Sequence, residues 1–554
     1  MRRVVQYLLL AAIVGFLGIF LLLPIYTVVE VGCDWRLIVE VFRNRVYLEG
    51  LLNSLAIALV TTSLVFVVSM ILALLYNRYE FPLKEATPLL MMLPMILPPF
   101  VGALGFQQLL GHYGVLNTLL GTIGLGPYDF LGGSGKFFSV CAIEALHLYP
   151  IFYLNLVTAL GNIDPALDEA AANLGAGSWR RFFQVRLPLL KPGILAGGSI
   201  VLIWSFTEMG TPLMFGYTRT TPVQIFNGLT ELETNPVPYA LVLILLVVSA
   251  LLYAVSRLAL RSGGVSVNKG NPGGGAVRLH SWRRFLPTSA FLLVTFAAGL
   301  PHLALVLTAF SRRYYQTLLP EGFTLEHFDN ALSNALVLPS IMNSLRYSLL
   351  AMGLALICGV LIALAAGRWR LRGAGAADIL AMLPLAVPGV VVAFGFLGMS
   401  VKYSWAAQCF NPVENPLWLL GIAYAVRRIP YVVRSVGAGL EQTPEELENA
   451  ARNFGAGAWR VLTRVTLPLV SANLIVGGLF AFSFSMLEVS DSLILAQRAQ
   501  YYPITKALYE LAQILGAGPG TACAFGVWAM LFLAATLAAA GALLGRKIGA
   551  IFRV

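Results

Sequence analysis

Charge is scarce in this 554-residue chain: 11 % of its residues are Asp, Glu, Lys or Arg, against roughly 25 % in a soluble domain. That shortage excludes a water-soluble globular protein. Cysteine and histidine are as sparse, five of each in the chain. Cys33, Cys141, Cys358, Cys409 and Cys523 form no Cys-x-x-Cys pair, and His112, His147, His280, His302 and His327 lack ligand spacing, so no metal site or metal cluster is expected. The nearest approach to a phosphate loop, Gly132-Gly133-Ser134-Gly135-Lys136, runs on into Phe137 where Ser or Thr is required. No nucleophile, acid–base pair or nucleotide site stands out. The subunit is expected to carry no catalytic residues and no cofactor.

What is present is apolar sequence. Hydrophobic residues make up 58 % of the chain and mean hydropathy is +0.79, which predicts an all-α integral membrane protein. Candidate spans fall at 4–29, 51–76, 88–110, 138–160, 192–216 and 237–260, then at 285–310, 341–366, 378–400, 415–437, 472–495 and 521–545. Each approaches or exceeds the roughly 20 apolar residues that cross a bilayer, giving about twelve transmembrane helices. The net charge of +11 needs no nucleic-acid partner. With Arg2 and Arg3 cytoplasmic, the basic loops at Arg78 and Lys84, at Arg180 to Lys191, at Arg257 to Arg284 and at Arg368 to Arg372 fall inside, as the positive-inside rule requires. Both termini are then cytoplasmic. No small-residue cleavage site ends the first apolar run, so it reads as a helix and not as a removed signal peptide.

The chain is written twice. Asn53-Ser54-Leu55 returns as Asn343-Ser344-Leu345, Arg78 as Arg368, Leu93-Pro94 as Leu383-Pro384, Pro98 as Pro388 and Gly105-Phe106 as Gly395-Phe396, all 290 positions on. Further along the offset becomes 280. Residues 1–261 therefore read as a first domain of six helices, 262–281 as a cytoplasmic Gly-rich linker, and 282–554 as a second domain of six. The linker composition, from Ser262 to Gly275, buries no apolar surface. Six crossings per half give the second half the orientation of the first, so the repeats are expected to be parallel and not inverted.

The longest gapless match is polar. Glu169-Ala170-Ala171-Ala172-Asn173-Leu174-Gly175-Ala176-Gly177-Ser178-Trp179-Arg180 closes with Val185, Leu187 and Pro188; Asn449-Ala450-Ala451-Arg452-Asn453-Phe454-Gly455-Ala456-Gly457-Ala458-Trp459-Arg460 closes with Val465, Leu467 and Pro468. Asp164-Pro165 and Thr443-Pro444 offer an N-cap with proline at the first helical position, and Gly175-Ala176-Gly177 or its mate interrupts an Ala-rich turn. Two short helices at an angle on the cytoplasmic face are expected, with Leu187-Pro188 or Leu467-Pro468 turning back into the membrane. Such a segment, present twice, is a docking surface present twice.

These residues resemble the cytoplasmic-loop signature of binding-protein-dependent ABC importer permeases: Glu-Ala-Ala, three residues, Gly, nine residues, an aliphatic, any residue, Leu-Pro. Glu169, Ala170, Ala171, Gly175, Val185, Leu187 and Pro188 match it. In the second copy Ala450, Ala451, Gly455, Val465, Leu467 and Pro468 match, while Asn449 takes the Glu place and Glu448 stands one position earlier. The whole chain is similar to fused double permeases, most closely those of ferric-iron and thiamine importers. The resemblance implies a transport subunit of the bacterial inner membrane in contact with lipid, two copies of a cytoplasmic ATPase on the two loops, and a periplasmic or lipid-anchored solute-binding protein. Ferric iron is the favoured cargo; thiamine, a polyamine or a phosphonate are alternatives within the class. An ion-gradient-driven secondary transporter would share the topology without needing duplicated docking loops.

Two acids lie inside apolar runs at matched places, Glu208 and Glu488. A carboxylate within a bilayer usually faces protein or water and marks a pathway, so the pair is expected either to line a path for a cationic cargo or to pair with neighbouring helices. Arg427, Arg428 and Arg434 stand where the first repeat has His147, Leu148 and Leu154. They serve either as partners of those acids or as cytoplasm-facing charges. The proline pairs Pro94, Pro98, Pro99 and Pro384, Pro388, with Gly389, can leave carbonyls unpaired where a helix lines a cavity.

Overall fold

The computed structural model describes residues 3–96, 99–231, 235–261, 277–514, 516 and 518–544. It is helical almost throughout, with one two-residue parallel pairing of Tyr79-Glu80 on Val277-Arg278. Eight described helices are long and apolar enough to cross a membrane, ten if each of two sharply bent pairs counts as one span. The expected twelve is thus not reached by length and composition. Leu417–Gln442 has the length, 26 residues, but Arg427, Arg428 and Arg434 dilute its apolar character. The expected span at 88–110 is divided between Thr87–Ile96 and Pro99–Leu110, each too short alone. At 378–400 the chain bends by 104° between Ala374–Leu385 and Gly389–Lys402, where Pro384 and Pro388 withhold N–H groups. Most of the Gly-rich linker lies outside the described residues.

Compact units do not follow the repeat boundary. One comprises Met1–Leu48, Thr221–Val247 and Leu325–Ile551; the other is built chiefly of Glu49–Thr220 and Val248–Thr324. In the first unit the chain's opening helices pack on the second repeat, Leu23–Gly32 lying along Gly389–Lys402. In the other, Phe285–Phe310, the opening helix of the second repeat, lies along Pro99–Leu110. The repeated glycines make both contacts possible. A Cβ at Gly105 would overlap the carbonyl oxygen of Pro301, and one at Gly395 would come within 2.5 Å of that of Pro24, so backbones touch where a side chain has no room.

The repeated Asn-Ser pairs hold the loops that follow the fifth helix of each repeat. Asn53 donates to the carbonyl of Arg219 at 3.0 Å. Asn343 donates to those of Gln500 and Tyr502 at 2.9 and 3.2 Å, and Ser344 Oγ accepts from the N–H of Ile504 at 2.8 Å. Pro94 has its carbonyl engaged by His147 Nδ1 at 2.9 Å, so one oxygen in this proline-rich stretch is satisfied from a neighbouring helix.

Candidate functional site

Both polar segments fold into the same corner. Helices Pro165–Asn173 and Glu445–Asn453 end in glycines at φ +81°, Gly175 and Gly455. In each, the N–H three places past the helix bonds five residues back (Ala176 to Ala171, Ala456 to Ala451, both 3.0 Å) and the glycine N–H three back (Gly175 to Ala172, Gly455 to Arg452, both 2.9 Å). That pair of bonds is a Schellman cap, which needs a left-handed residue and so selects glycine. Gly177 and Gly457 then start second short helices at Ser178 and Ala458. In the second repeat the following helix, Ser471–Met486, departs at 73°.

The N-termini differ. Asp164 accepts from the N–H of Ala166 at 2.9 Å as expected of an N-cap. Thr443 does not cap: its hydroxyl donates back to the Gly439 carbonyl at 2.9 Å, and it closes the preceding helix. Glu445, Glu446 and Glu448 in the first turn of Glu445–Asn453 supply negative charge to the helix dipole instead.

The acid that holds each corner in place stands one position before the Glu-Ala-Ala. Asp168 binds Arg186 through two nitrogens, at 3.0 and 2.7 Å, and Arg181 at 3.0 Å. Its mate Glu448 meets Arg368 Nε at 3.0 Å and Arg452 at 3.5 Å. Arg368 also donates to the carbonyls of Leu440 and Thr443. The first loop is therefore tied to itself, the second to the end of the Val337–Gly367 helix. Val461 and Thr466 replace Arg181 and Arg186, and beside them lies a cavity of 230 Å³ also lined by Gln6, Arg368, Trp369 and Arg452. Sequence reasoning fixed on Glu169 and missed Asp168. The signal was available, since Asp168 and Glu448 are both acidic at the same offset.

Around these anchors the loops present apolar side chains outward. Leu174 is 88 % exposed and Trp179 77 %; their mates Phe454 and Trp459 are 93 % and 67 % exposed. Glu169, Ala170 and Pro188 are exposed, with Ala171, Val185 and Leu187 half-buried; Asn449, Ala450, Gly455 and Pro468 are also exposed. Asn449 accepts from Arg452 at 3.1 Å.

Hydrogen bonding from Arg186, with the charges of Arg186, Arg181 and Arg78 nearby, holds the Asp168 carboxyl below its ordinary range. A depressed folded value gives stabilisation that is complete above the unfolded pKa of about 3.9 and fades only as pH falls through the lower folded value. The first loop should therefore keep one protease-cleavage pattern from pH 5 to 8, whereas D168N should open it at every pH in that window.

The matched acids Glu208 and Glu488 differ in surroundings. Glu208 is half-buried, and its Oε1 accepts from the N–H groups of Gly210 and Thr211 at 3.0 and 3.3 Å, capping the short Gly210–Met214 helix. Glu488 is buried and ion-paired with Arg427 and Arg428. Arg427 also reaches Asp491 at 3.4 Å, and Arg428 donates to the Phe484 carbonyl at 3.0 Å. Of the two readings of these arginines, partnership with the acid is the one observed for Arg427 and Arg428. A third acid, Glu144, escaped the sequence reading: it is buried and bonded to Ser205. Its place inside the 138–160 span marked it, but Tyr424 occupies the equivalent position, so no matched pair drew notice.

Comparison with known proteins agrees with the duplicated layout. The chain is 24 % identical over 480 residues to the putative ferric transport system permease protein FbpB 1 of Haemophilus influenzae, covering 82 % of this chain and 70 % of that one. It is 25 % identical to the Fe(3+)-transport system permease protein FbpB 2 of the same organism, covering 88 % and 89 %. A probable molybdenum ABC transporter permease protein of Haloferax volcanii is 32 % identical over 43 % of this chain and 85 % of its own. The model of the family described as binding-protein-dependent transport system inner membrane component matches twice, over residues 65–262 and 355–545. The two repeated corners lie one in each match, and the chain belongs to that family of inner-membrane transport components.

Proposed function

We propose that this permease imports ferric iron, delivered by a solute-binding protein on the outer side and driven by two cytoplasmic ATPase copies, one on each corner formed around Gly175 and Gly455. The observation that carries this reading is the duplicated corner itself, with the same Schellman cap, an anchoring acid and an outward aromatic in both copies. Its termini face the cytoplasm, because that orientation puts both corners and the basic loops inside. Iron is favoured over thiamine, a polyamine, a phosphonate or molybdate because ferric transport permeases are among the relatives that match both repeats, whereas the molybdenum relative matches less than half of the chain.

Glu208 and Glu488 each line the path of a cationic cargo in this reading. The Glu488 cluster sets two carboxylates against two guanidiniums and so brings little net charge. Glu208, which caps the Gly210–Met214 helix, stands in the repeat that has His147 and Leu148 in place of Arg427 and Arg428, and its carboxylate contributes to the field that a cation meets. Glu208→Gln should slow uptake several-fold with insertion and ATPase binding intact.

The functional test is ATP-driven uptake into proteoliposomes holding the permease and its ATPase, with radiolabelled ferric iron on the binding protein outside. Accumulation that ferric-loaded binding protein supports and molybdate-loaded protein does not is the expected result. The reverse preference would overturn the cargo assignment.

A further inference from the structure

The loop after the fifth helix of the second repeat contains a buried ammonium in an aromatic enclosure. Lys506, 8 % exposed, holds its Nζ 5.2 Å from the ring centre of Phe226 and 5.5 Å from those of Tyr502 and Tyr509. Glu510 completes the enclosure at 3.1 Å, and Phe226 meets Tyr509 edge-on at 6.0 Å. Three ring faces and a carboxylate replace the water that burial strips from the ammonium. Lys506 and Phe226 are repeat counterparts, 280 positions apart. The same place in each repeat has come into contact, once as cation and once as ring.

Its location follows from the helices around it. Ser471–Met486 leads away from the second docking corner over 16 residues, about 24 Å of helix, before the chain reaches Ile504–Gln513. Val337–Gly367, 31 residues long, runs in the other sense: Arg368, at its end, binds Glu448 of the corner, while Asn343 and Ser344, near its start, fix Tyr502 and Ile504. The enclosure therefore lies at the end of the bundle opposite the docking corner. Asn343 and Ser344 hold Tyr502 and the start of Ile504–Gln513 rigid, whereas Phe226, on Thr221–Asn227, belongs to a separate stretch of chain.

We propose that Lys506 is the outer gate residue of the transport path. Resting on the importer reading above, the closed gate is the Lys506 ammonium seated against Phe226, and it opens when Thr221–Asn227 withdraws from Ile504–Gln513. A tethered cation suits this post, since cation–ring contacts hold it when the ring is near and release it without breaking a backbone bond when the ring withdraws.

The test uses the permease–ATPase complex in proteoliposomes. K506A should raise ATP hydrolysis in the absence of binding protein several-fold, and K506R, which keeps the cation over the rings, should restore the low resting rate. A merely structural lysine would leave that resting rate unchanged. In a second variant, F226C with K506C in a chain whose native cysteines are replaced by alanine, a bifunctional thiol reagent with a reducible spacer should crosslink the resting chain and abolish uptake until a reductant is added; this arm decides the matter if K506A does not insert. A resting rate in K506A equal to wild type, absence of the crosslink, or full uptake with the crosslink in place overturns the gate. Absence of ATP-driven uptake in the wild type itself would count against the importer reading instead.

Discussion

Replacing Glu488 with alanine should destabilise the protein by about 3–5 kcal/mol, the cost of leaving buried arginine without its counter-charge. Net stabilities of folded domains are about 5–15 kcal/mol, so a loss of that size should lower the thermal midpoint of the detergent-solubilised permease sharply. The geometry supplies an internal control. Removing Glu488 and Arg428 together, as leucines, leaves Arg427 beside Asp491 at 3.4 Å, so most of the loss should be recovered. Glu208→Ala removes the cap of a five-residue helix, a loss of about 1 kcal/mol. If Glu208→Ala proves as damaging as Glu488→Ala, the unequal roles assigned to the two acids are wrong.

The second large effect is expected at the docking corners. Gly175→Val with Gly455→Val should abolish ATPase co-purification and uptake while the permease still inserts. Nothing lies within 4 Å of a Cβ built at either glycine, yet both sit at φ +81°. The damage is therefore backbone strain and not a clash. A left-handed conformation costs an L-residue roughly 1–2 kcal/mol, more for a β-branched one, and the chain avoids it by unwinding the Schellman cap that aims Leu174 and Phe454 outward. ATPase binding undiminished in the double variant would remove the corners from the docking surface.

Much of this was legible in the sequence because it depends on local rules. The positive-φ glycines, the Asp164 cap, the duplicated offsets and the paired short helices follow from residue type and spacing alone. The function of Gly105 and Gly395 was not legible. They repeat at a fixed offset, but only the fold shows that each receives the carbonyl of an opening helix from the other repeat, a long-range contact that no local pattern encodes. For Glu208 and Glu488 the offset shows the matched place but not the surroundings: Arg427 and Arg428, which pair with Glu488, belong to one repeat only. Thr443 resembled a cap because Thr-Pro is a cap signal, yet its hydroxyl found the Gly439 carbonyl four residues back, a competition that propensity does not resolve.

The central claim is that one chain presents two ATPase sites. Native mass spectrometry of the wild-type permease released from membranes with its ATPase counts them directly. Two ATPase copies per permease chain are expected, falling to one when either Gly175 or Gly455 alone becomes valine and to none when both do. A wild-type complex with a single ATPase, or a full pair retained by the double variant, would contradict the account.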